Sequence, residues 1–594
     1  MDEAKKKMAA QFGTIVQRGL YKEADEMLTE LREEVNPEKY LSEDLCITAA
    51  FLYNKLGNRE NELYYLNKGF LINPRSSSLF VSLGDYYSKV NTAQELICLY
   101  QAEYYAKKNG EMDQASFIKK IIDSLENGGI TVPKTSIVIL SFNTKDYLRQ
   151  CLDSIKETIP LDRCQVIVVD NASTDGSLDY LKSLDWITLI ENHENRGFPG
   201  GCNDGINAAE KDNDIYLLNS DTILPANALF WLKMGLYESD KVGSTGSITN
   251  YAANGQAVDV KANSVEEFIQ FGEQVNIPGA FPYAFKPFLI GFSLLLKRTT
   301  LDIVGLLDER FNPGNSEDLD LGLRILKEEK LNLLCTNSFV FHYGNRSFAE
   351  LLKSGQDYDD LLKKNCQKLI DKIGFDITRY FKDSLKIVDE IRAKRGTSLY
   401  ILEVGSGIGT QAAVIRTKYP NAEYKGVEPN QTLASYAKAF GEILTGDLET
   451  TEFGEKYEGY FDYIILSDVL QFIHNPGKYL RSISKYLKKN GRLIISIPNI
   501  RYYEIIISLL ADDRFTYSDD GIIKNGTVRF YTENEAARLI SGSGYSIKNI
   551  KSVIGKKPSV EEEKYINNLS ELFDQPDTDD LLALEYIFTA ETIL

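Results

Sequence analysis

The spacing of apolar and polar residues changes twice along the chain. From residue 1 to 129, apolar and aromatic side chains recur at intervals of three and four, with few β-branched runs, which is the period of amphipathic helices. Asn127-Gly-Gly-Ile-Thr-Val-Pro133 reads as a turn-rich linker. Beyond it come short apolar runs that each end in polar residues: TSIVILSF (135–142), CQVIVVD (164–170), ITLIEN (187–192) and IYLLNSD (215–221). Helical stretches such as Tyr147–Thr158 and Ser177–Ser183 lie between them. Apolar strands alternating with helices predict a mostly parallel α/β sheet, with ligands beyond the carboxyl ends of its strands. A charged helical stretch follows from about Tyr358 to Lys394, and SLYILEVGSGIGT (398–410) opens a second α/β series. KGVEPN (425–430), FDYIILSDVL (461–470) and RLIISIPN (492–499) supply its further strands, and LEYIFTAETIL (584–594) reads as a closing strand. The expected chain is an α/β multidomain protein with a helical segment at 1–129 and α/β segments at 133–381 and 382–594.

Composition narrows the choice of partners. A chain of 594 residues has room for about three to five domains. An apolar fraction of 43% and a charged fraction of 26% are those of a soluble globular protein. The net charge of −19 argues against a nucleic-acid or anionic-membrane surface. The start, MDEAKKKMAAQF, has no apolar signal core. The apolar run FLIGFSLLL (288–296) falls well short of the roughly 20 residues a membrane span needs. Seven Cys without a CxxC pair suit a reducing, cytoplasmic setting with no zinc framework and no disulfides.

The helical segment carries a weak internal repeat. Phe80, Leu83, Gly84 and Tyr87 are matched 34 positions earlier by Cys46, Ala49, Ala50 and Tyr53, and the earlier unit closes at Asn73-Pro74. Another unit is expected through Tyr21–Pro37. The pattern resembles tetratricopeptide repeats, helix pairs whose stacked surface commonly holds peptides, which implies a protein acceptor bound there. The plainer reading is a helical bundle that packs on the next domain.

The first α/β segment carries acidic and asparagine-rich motifs in a fixed order: TSIVILSFN, VVDNASTDGS, NRGFPGGCN, NSDT and EDLDL. This order is similar to glycosyltransferase family 2, with its GT-A fold, across nearly the whole of 133–381, including a tail at LLKKNCQKLIDKIGFD (361–376). The resemblance implies a nucleotide-sugar donor, with a UDP-sugar expected, bound by Asn143, Asp170, Asn171, Asn195, Asn203, Asn219, Ser220 and Asp221. Asn195 and Asn203 bracket what reads as a Gly-rich loop, Gly197–Gly201. Asn219-Ser220-Asp221 stands where that family has its D-x-D motif, with Asn for the first Asp. Asp221 is then the main ligand for Mg²⁺ or Mn²⁺, and His342, in HYGNRS, a nitrogen ligand. Asp318 of the Glu317-Asp318 pair is the candidate general base and Glu317 the next, with inversion at the anomeric carbon.

Glu403-x-Gly405-x-Gly407-x-Gly409 follows a strand and opens a helix, with spacing unlike the dinucleotide fingerprint. Glu428 ends the next strand, placed to grip two ribose hydroxyls, and Asp447 could reach an adenine amine. Segment 398–534 resembles class I S-adenosylmethionine-dependent methyltransferases, which adds Asp468 to the cofactor residues. His474 stands where such domains often place a His near the methyl group; a capping or packing role is the alternative. Together these features point to one enzyme with two transferase chemistries, adding a sugar to a protein such as flagellin and methylating the glycan or a related group. The alternatives are a capsule or cell-wall polysaccharide enzyme and a catalytically dead repeat-containing scaffold.

Overall fold

The structure is a computed structural model that describes residues 2–34, 41–344, 358–381, 384–518, 521–572 and 578–593. The Ser347 end of HYGNRS and the Pro37 end of the first expected repeat lie outside these residues. The chain divides into two compact units, Met1–Gly374 and Phe375–Leu594. The helices of 1–129 fall inside the first unit, and residues 375–381 fold with the second.

The first unit opens with seven helices: α1 (Asp2–Gln17), α2 (Tyr21–Glu34), α3 (Glu43–Leu56), α4 (Arg59–Ile72), α5 (Ser77–Ser88), α6 (Thr92–Lys108) and α7 (Met112–Asn127). Capping recurs with the sequence repeat. Ser42 and Ser76 cap α3 and α5 through the N–H groups of Leu45 and Leu79, while Asn58 and Asn91 cap α4 and α6 through those of Asn61 and Gln94. The helices suggest tetratricopeptide pairs.

One side of this stack is committed to the neighbouring sheet. Phe70, Phe80, Leu96 and Tyr105 share a core with Phe230, Trp231 and Met234 from the helix Ala228–Leu236. Phe80 meets Phe230 edge-on at 5.0 Å. Polar pairs complete the seam: Gln94 donates to Met234 O and Glu238 at 2.8 Å each, and Tyr105 donates to Asn227 Oδ1 at 2.8 Å.

The first sheet contains β1 (Thr135–Ser141), β2 (Cys164–Asn171), β3 (Thr188–Asn192), β4 (Asp214–Asn219), β6 (Val242–Ile248), β7 (Tyr283–Lys286), β8 (Ser293–Leu296) and β9 (Leu331–Phe339). A separate ribbon pairs β5 (Thr222–Ile223) with β10 (Phe341–His342). The sheet order is β3-β2-β1-β4-β8-β6-β9-β7. The first four strands are parallel, and β8 runs antiparallel to both β4 and β6.

The stretch expected as a Gly-rich loop is instead the first turns of the helix Gly197–Ala208. Its glycines serve close packing on β1. A Cβ at Gly201 would lie 2.3 Å from Leu140, and one at Gly205 2.3 Å from Val138. The helix in 358–394 is also shorter than the charge pattern implies: Tyr358–Ile373 ends before Gly374, whose φ of 93° reverses the chain.

The second unit forms one sheet from β11 (Tyr400–Val404), β12 (Glu423–Glu428), β13 (Glu442–Thr445), β14 (Phe461–Ser467), β15 (Leu487–Pro498), β16 (Tyr545–Ile554) and β17 (Ala583–Thr592). The order is β13-β12-β11-β14-β15-β17-β16, with β17 antiparallel to both neighbours. The apolar runs expected as strands overlap β11, β12, β14, β15 and β17, and each runs on past its strand's carboxyl end.

The seam predicts a structural role for α1–α7. Deleting residues 1–129 strips cover from Phe230, Trp231 and Met234, so the truncated chain is expected to aggregate on purification. Tyr105→Phe, which loses the hydroxyl's bonds to Asn227 and Gln101, should cost about 1 kcal/mol in denaturant unfolding. A soluble truncated chain with an unchanged melting temperature would show the seam to be dispensable.

Candidate active sites

Parallel register gathers the first site. Ser141 at the end of β1 is level with Asp170 on β2, and Leu140 is level with Asn219 on β4. Asp170 is buried; its Oδ2 accepts from the Ser173 N–H at 3.0 Å, while Oδ1 has no partner among the described residues. Asn143 joins the same edge, accepting the Thr174 N–H at 2.7 Å. Asn171 and Asn195 bond each other at 2.8 Å, and Ser220 meets Thr144 at 3.0 Å. Asn203 is engaged elsewhere, bonded to the Leu307 N–H and C=O and to Glu309.

The β5–β10 ribbon brings Asp221 and His342 together. With His342 opposite Thr222, its Nε2 stands 3.2 Å from Asp221 Oδ1 and 3.4 Å from Asn219 Nδ2. Nδ1 lies 3.0 Å from the Tyr251 carbonyl, which can only accept, so Nδ1 carries a proton. In the neutral ring Nε2 therefore offers its lone pair toward Asp221, the arrangement of a metal-ligating histidine held by a carbonyl. Phe292 stacks on the imidazole with centroids 5.1 Å apart and planes 15° apart. Among the described residues no group of three His, Cys, Asp or Glu could hold a metal.

Glu317 and Asp318 begin the helix Glu317–Lys327. Asp318 accepts from the Leu319 N–H at 2.7 Å and the Gly291 N–H at 3.3 Å. The residue after Gly291 is Phe292, which stacks on His342 and accepts the Asn219 N–H at 2.9 Å. One short segment thus joins the acidic helix start to the β4 end. Burial pushes the Asp318 carboxyl up to about 6. Burial, then the neighbouring Asp318 charge, holds Glu317 well above the usual carboxylate range, and its Oε2 has no partner.

Sequence reasoning missed the clamp behind this turn. Asn365, fully buried in the helix Tyr358–Ile373, donates to the carbonyls of Phe311 and Gly314 at 2.7 Å each. Its only sequence signal was its place in the segment resembling a family tail.

In the second unit a cavity of about 530 Å³ opens at the ends of β11, β12 and β14. Gly405, Gly407, Glu403, Glu428 and Asp468 line it, with Arg379, Tyr380, Gln411 and Lys524. Gly405, Gly407 and Gly409 hold φ values of 79°, 54° and 84°, which glycine adopts without strain. Glu428 accepts the Gly407 N–H at 2.8 Å and the Asn430 N–H at 3.0 Å. Burial raises Glu403 to about 8, and the Tyr424 hydroxyl donates to it. Asp468 accepts from Ser496 at 3.1 Å and pairs with Lys524 at 3.2 Å. Gln411 Oε1 is a buried acceptor without a partner on the cavity wall. This glycine-lined, acid-edged cleft fits a nucleoside cofactor.

Three expected residues stand outside that wall: Gly409, Asp447 and His474. Asp447 is exposed and accepts from the Glu449 and Thr450 N–H groups of its own turn, leaving Leu448 to face the cavity. The His474 ring is exposed and meets Glu449 at 3.0 Å, a turn-fixing contact away from the cavity lining.

Two measurements probe these geometries. If Asp318 accepts the acceptor proton, its carboxylate must be free. With the group raised to about 6, that form prevails above pH 6 and is lost below it. The transfer rate should be flat above neutrality, fall as pH drops through about 6, and collapse in Asp318→Asn with donor affinity kept. In the second unit, a Cβ at Gly407 would lie 2.9 Å from the Tyr380 ring. Gly407→Val should therefore abolish S-adenosylmethionine binding by calorimetry while sparing sugar transfer; wild-type cofactor affinity in this variant would refute the cavity assignment.

Comparison with known proteins finds two domain families along the chain. Residues 136–281 match the model of glycosyl transferase family 2, and residues 377–549 match a methyltransferase domain. A poly(ribitol-phosphate) beta-glucosyltransferase of Bacillus spizizenii is 39% identical over 102 residues, 16% of each chain. EpsH of Bacillus subtilis, named as a glycosyltransferase, is 30% identical over 124 residues, 20% of this chain and 34% of its own. The chain therefore spans well under two thirds of either relative. Among solved structures, a Pyrobaculum calidifontis mannosyltransferase in complex with GDP-Man and Mn²⁺ is 18% identical, covering 40% of this chain and 70% of its own, with a TM-score of 0.28. A Thermotoga maritima S-adenosylmethionine-dependent methyltransferase is 16% identical, covering 38% and 94%, with a TM-score of 0.25. The chain thus carries a glycosyltransferase family 2 domain followed by a methyltransferase domain.

Proposed function

We propose that the first unit transfers a sugar from a nucleotide diphosphate to an acceptor hydroxyl with inversion, and that the second methylates the resulting glycan or a related group. The observation that carries the first half is the segment Gly291-Phe292, which ties the carboxylate of Asp318 to the Asp221–His342 pair. Asp170, with one buried oxygen free, Asn143, Asn219 and Ser220 would hold the donor nucleotide. Asp221 and His342 would hold Mg²⁺ or Mn²⁺, which when bound offsets the charge of the departing diphosphate. Asp318 accepts the acceptor proton as the oxygen attacks. In the second unit Glu428 and the glycine turn hold S-adenosylmethionine, which supplies an electrophilic methyl group.

The acceptor proposed is a protein in the cytoplasm, flagellin for example, held by the helix pairs α1–α7. A second reading, a cell-wall or capsule polymer acceptor, draws on the printed name of the Bacillus spizizenii relative. No helix among the described residues is long and apolar enough to cross a membrane.

Mass spectrometry of candidate acceptors decides between them, after incubation with a panel of nucleotide sugars, Mn²⁺ or Mg²⁺, and S-adenosylmethionine. A hexose mass on flagellin supports the protein reading; label only on polyol-phosphate polymer supports the other. Asp221→Asn and His342→Ala are expected to slow transfer at least ~100-fold, the several kcal/mol a bound cation supplies. Activity indifferent to chelator would remove the cation from this account.

A further inference from the structure

Three aromatic rings stand exposed together in the second unit. Phe515, Tyr517 and Phe530 are 42%, 44% and 39% exposed, with centroids 5.6–6.3 Å apart. Scattered single apolar residues on a surface need no explanation; three rings in mutual contact beside a recess do. Phe530 lines a small recess with Gln471, Thr527 and Tyr531, and the recess shares Pro498 and Ile522 with the cofactor cavity wall.

The recess carries unused polar groups. Gln471 is 3% exposed, yet neither its amide nitrogen nor its amide oxygen has a partner among the described residues. Thr527 Oγ1 is buried and equally unpartnered. The Gln471 carbonyl accepts from the N–H groups of Val528 at 2.9 Å and Arg529 at 3.1 Å, so its backbone is fixed. Buried amides and hydroxyls are nearly always hydrogen-bonded, so three orphaned atoms at one place call for a ligand that both donates and accepts. A hydroxyl does both. Arg529, which also lines the recess, opposes a cationic amine in the same position. The apolar C–H face of a sugar ring suits the electron-rich faces of the aromatic trio.

We propose that Gln471 and Thr527, with Phe515, Tyr517 and Phe530, form the methyl-acceptor subsite and that it takes a neutral glycosyl hydroxyl. The inference rests on the methyl-donor reading of the adjoining cavity. In the transfer, the acceptor oxygen bonds the methyl carbon and the sulfur–methyl bond breaks. S-adenosylhomocysteine leaves as a neutral thioether, and the hydroxyl proton passes to solvent water.

The test uses the full-length protein, with S-adenosylmethionine affinity measured by calorimetry and sugar binding by saturation-transfer NMR. The probes are the methyl β-glycosides of glucose, galactose and N-acetylglucosamine, with N-acetyl-lysine amide as the amine control. Wild-type protein is expected to saturate the ring protons of at least one glycoside. Phe530→Ala, at an exposed position, and Gln471→Ala should weaken that binding at least 10-fold while leaving cofactor affinity within two-fold. Phe530→Tyr, which keeps the ring face, should restore it. Saturation of the lysine probe alone, no saturation of any glycoside, or undiminished glycoside binding in both alanine variants would overturn the subsite. A wild-type protein that fails to bind S-adenosylmethionine would overturn the methyltransferase reading and the subsite with it.

Discussion

The first site depends on a ribbon two residues wide. Asp221 and His342 are distant in sequence, and the pairing of Phe341-His342 with Thr222-Ile223, extended by the Tyr343 N–H to the Asp221 carbonyl at 3.0 Å, sets them face to face. A slip of one residue would turn the imidazole to the opposite face, because side chains alternate along a strand. Asn250 guards against the slip, accepting the His342 N–H and donating to its C=O at 2.9 Å each. The Tyr251 carbonyl then selects the tautomer, and Phe292 fixes the ring plane. Phe292 in turn follows Gly291, whose N–H reaches Asp318, so the ribbon's register carries through to the acidic helix start.

The electrostatics of that helix start separate structural carboxylates from chemical ones. Asp320 lies one residue from Leu319 on the same helix and is neutralised by Arg324 at 2.9 Å and by Lys372. Asp308 likewise receives Arg310 and Lys372. Glu317 and Asp318, only three and two residues before Asp320, have no Lys or Arg ion pair among the described residues. Among the described residues, backbone N–H groups are what stabilises their charge, and burial raises both. A fold with 67 basic residues could have paired them; leaving them unpaired costs stability and keeps a proton acceptor available.

Much of this was legible in the chain. The strands could be read because they are short apolar runs bounded by polar residues, as in CQVIVVD and IYLLNSD, even where, as in ITLIEN, the strand is a partly exposed sheet edge. Asp170, Asn219 and the GxGxG turn could be placed because a parallel strand delivers its last residues to a known edge. What could not be read depends on distant partners. Gly197–Gly201 reads as a loop by composition, and the closeness of Leu140 and Val138 explains why glycines stand in the helix Gly197–Ala208. His474 and Asp447 occupy the right places in sequence, yet Glu449 and the local turn N–H groups engage them. The contact of α6 with Trp231 and Met234 likewise left no local mark, because the faces of a docked helix and a free one carry the same period.

Asparagine is the residue that sequence reasoning resolves least well here, and the reason is chemical. A short neutral amide donates and accepts without the desolvation cost of a charge, so it can satisfy the backbone of a buried irregular segment or a ligand equally well. Asn203 ties down Leu307, Asn276 holds Ala226 O and the Phe339 N–H, Asn332 holds Pro287 and Gly322, and Asn365 clamps Phe311 and Gly314. In the second unit Asn499 does the same for Asp580 and Ala583. Site-bearing loops between β-strands leave many backbone groups outside any ladder, and these amides supply the missing partners. Asn219 differs from them in one respect. Its Nδ2 faces His342 while its Oδ1 is buried without a partner, at the strand end where Asp221 begins. Asn312 and Asn337 also keep a buried acceptor without a partner among the described residues, so what sets Asn219 apart is its place, at a strand end facing His342, where the fold's own needs meet the ligand's.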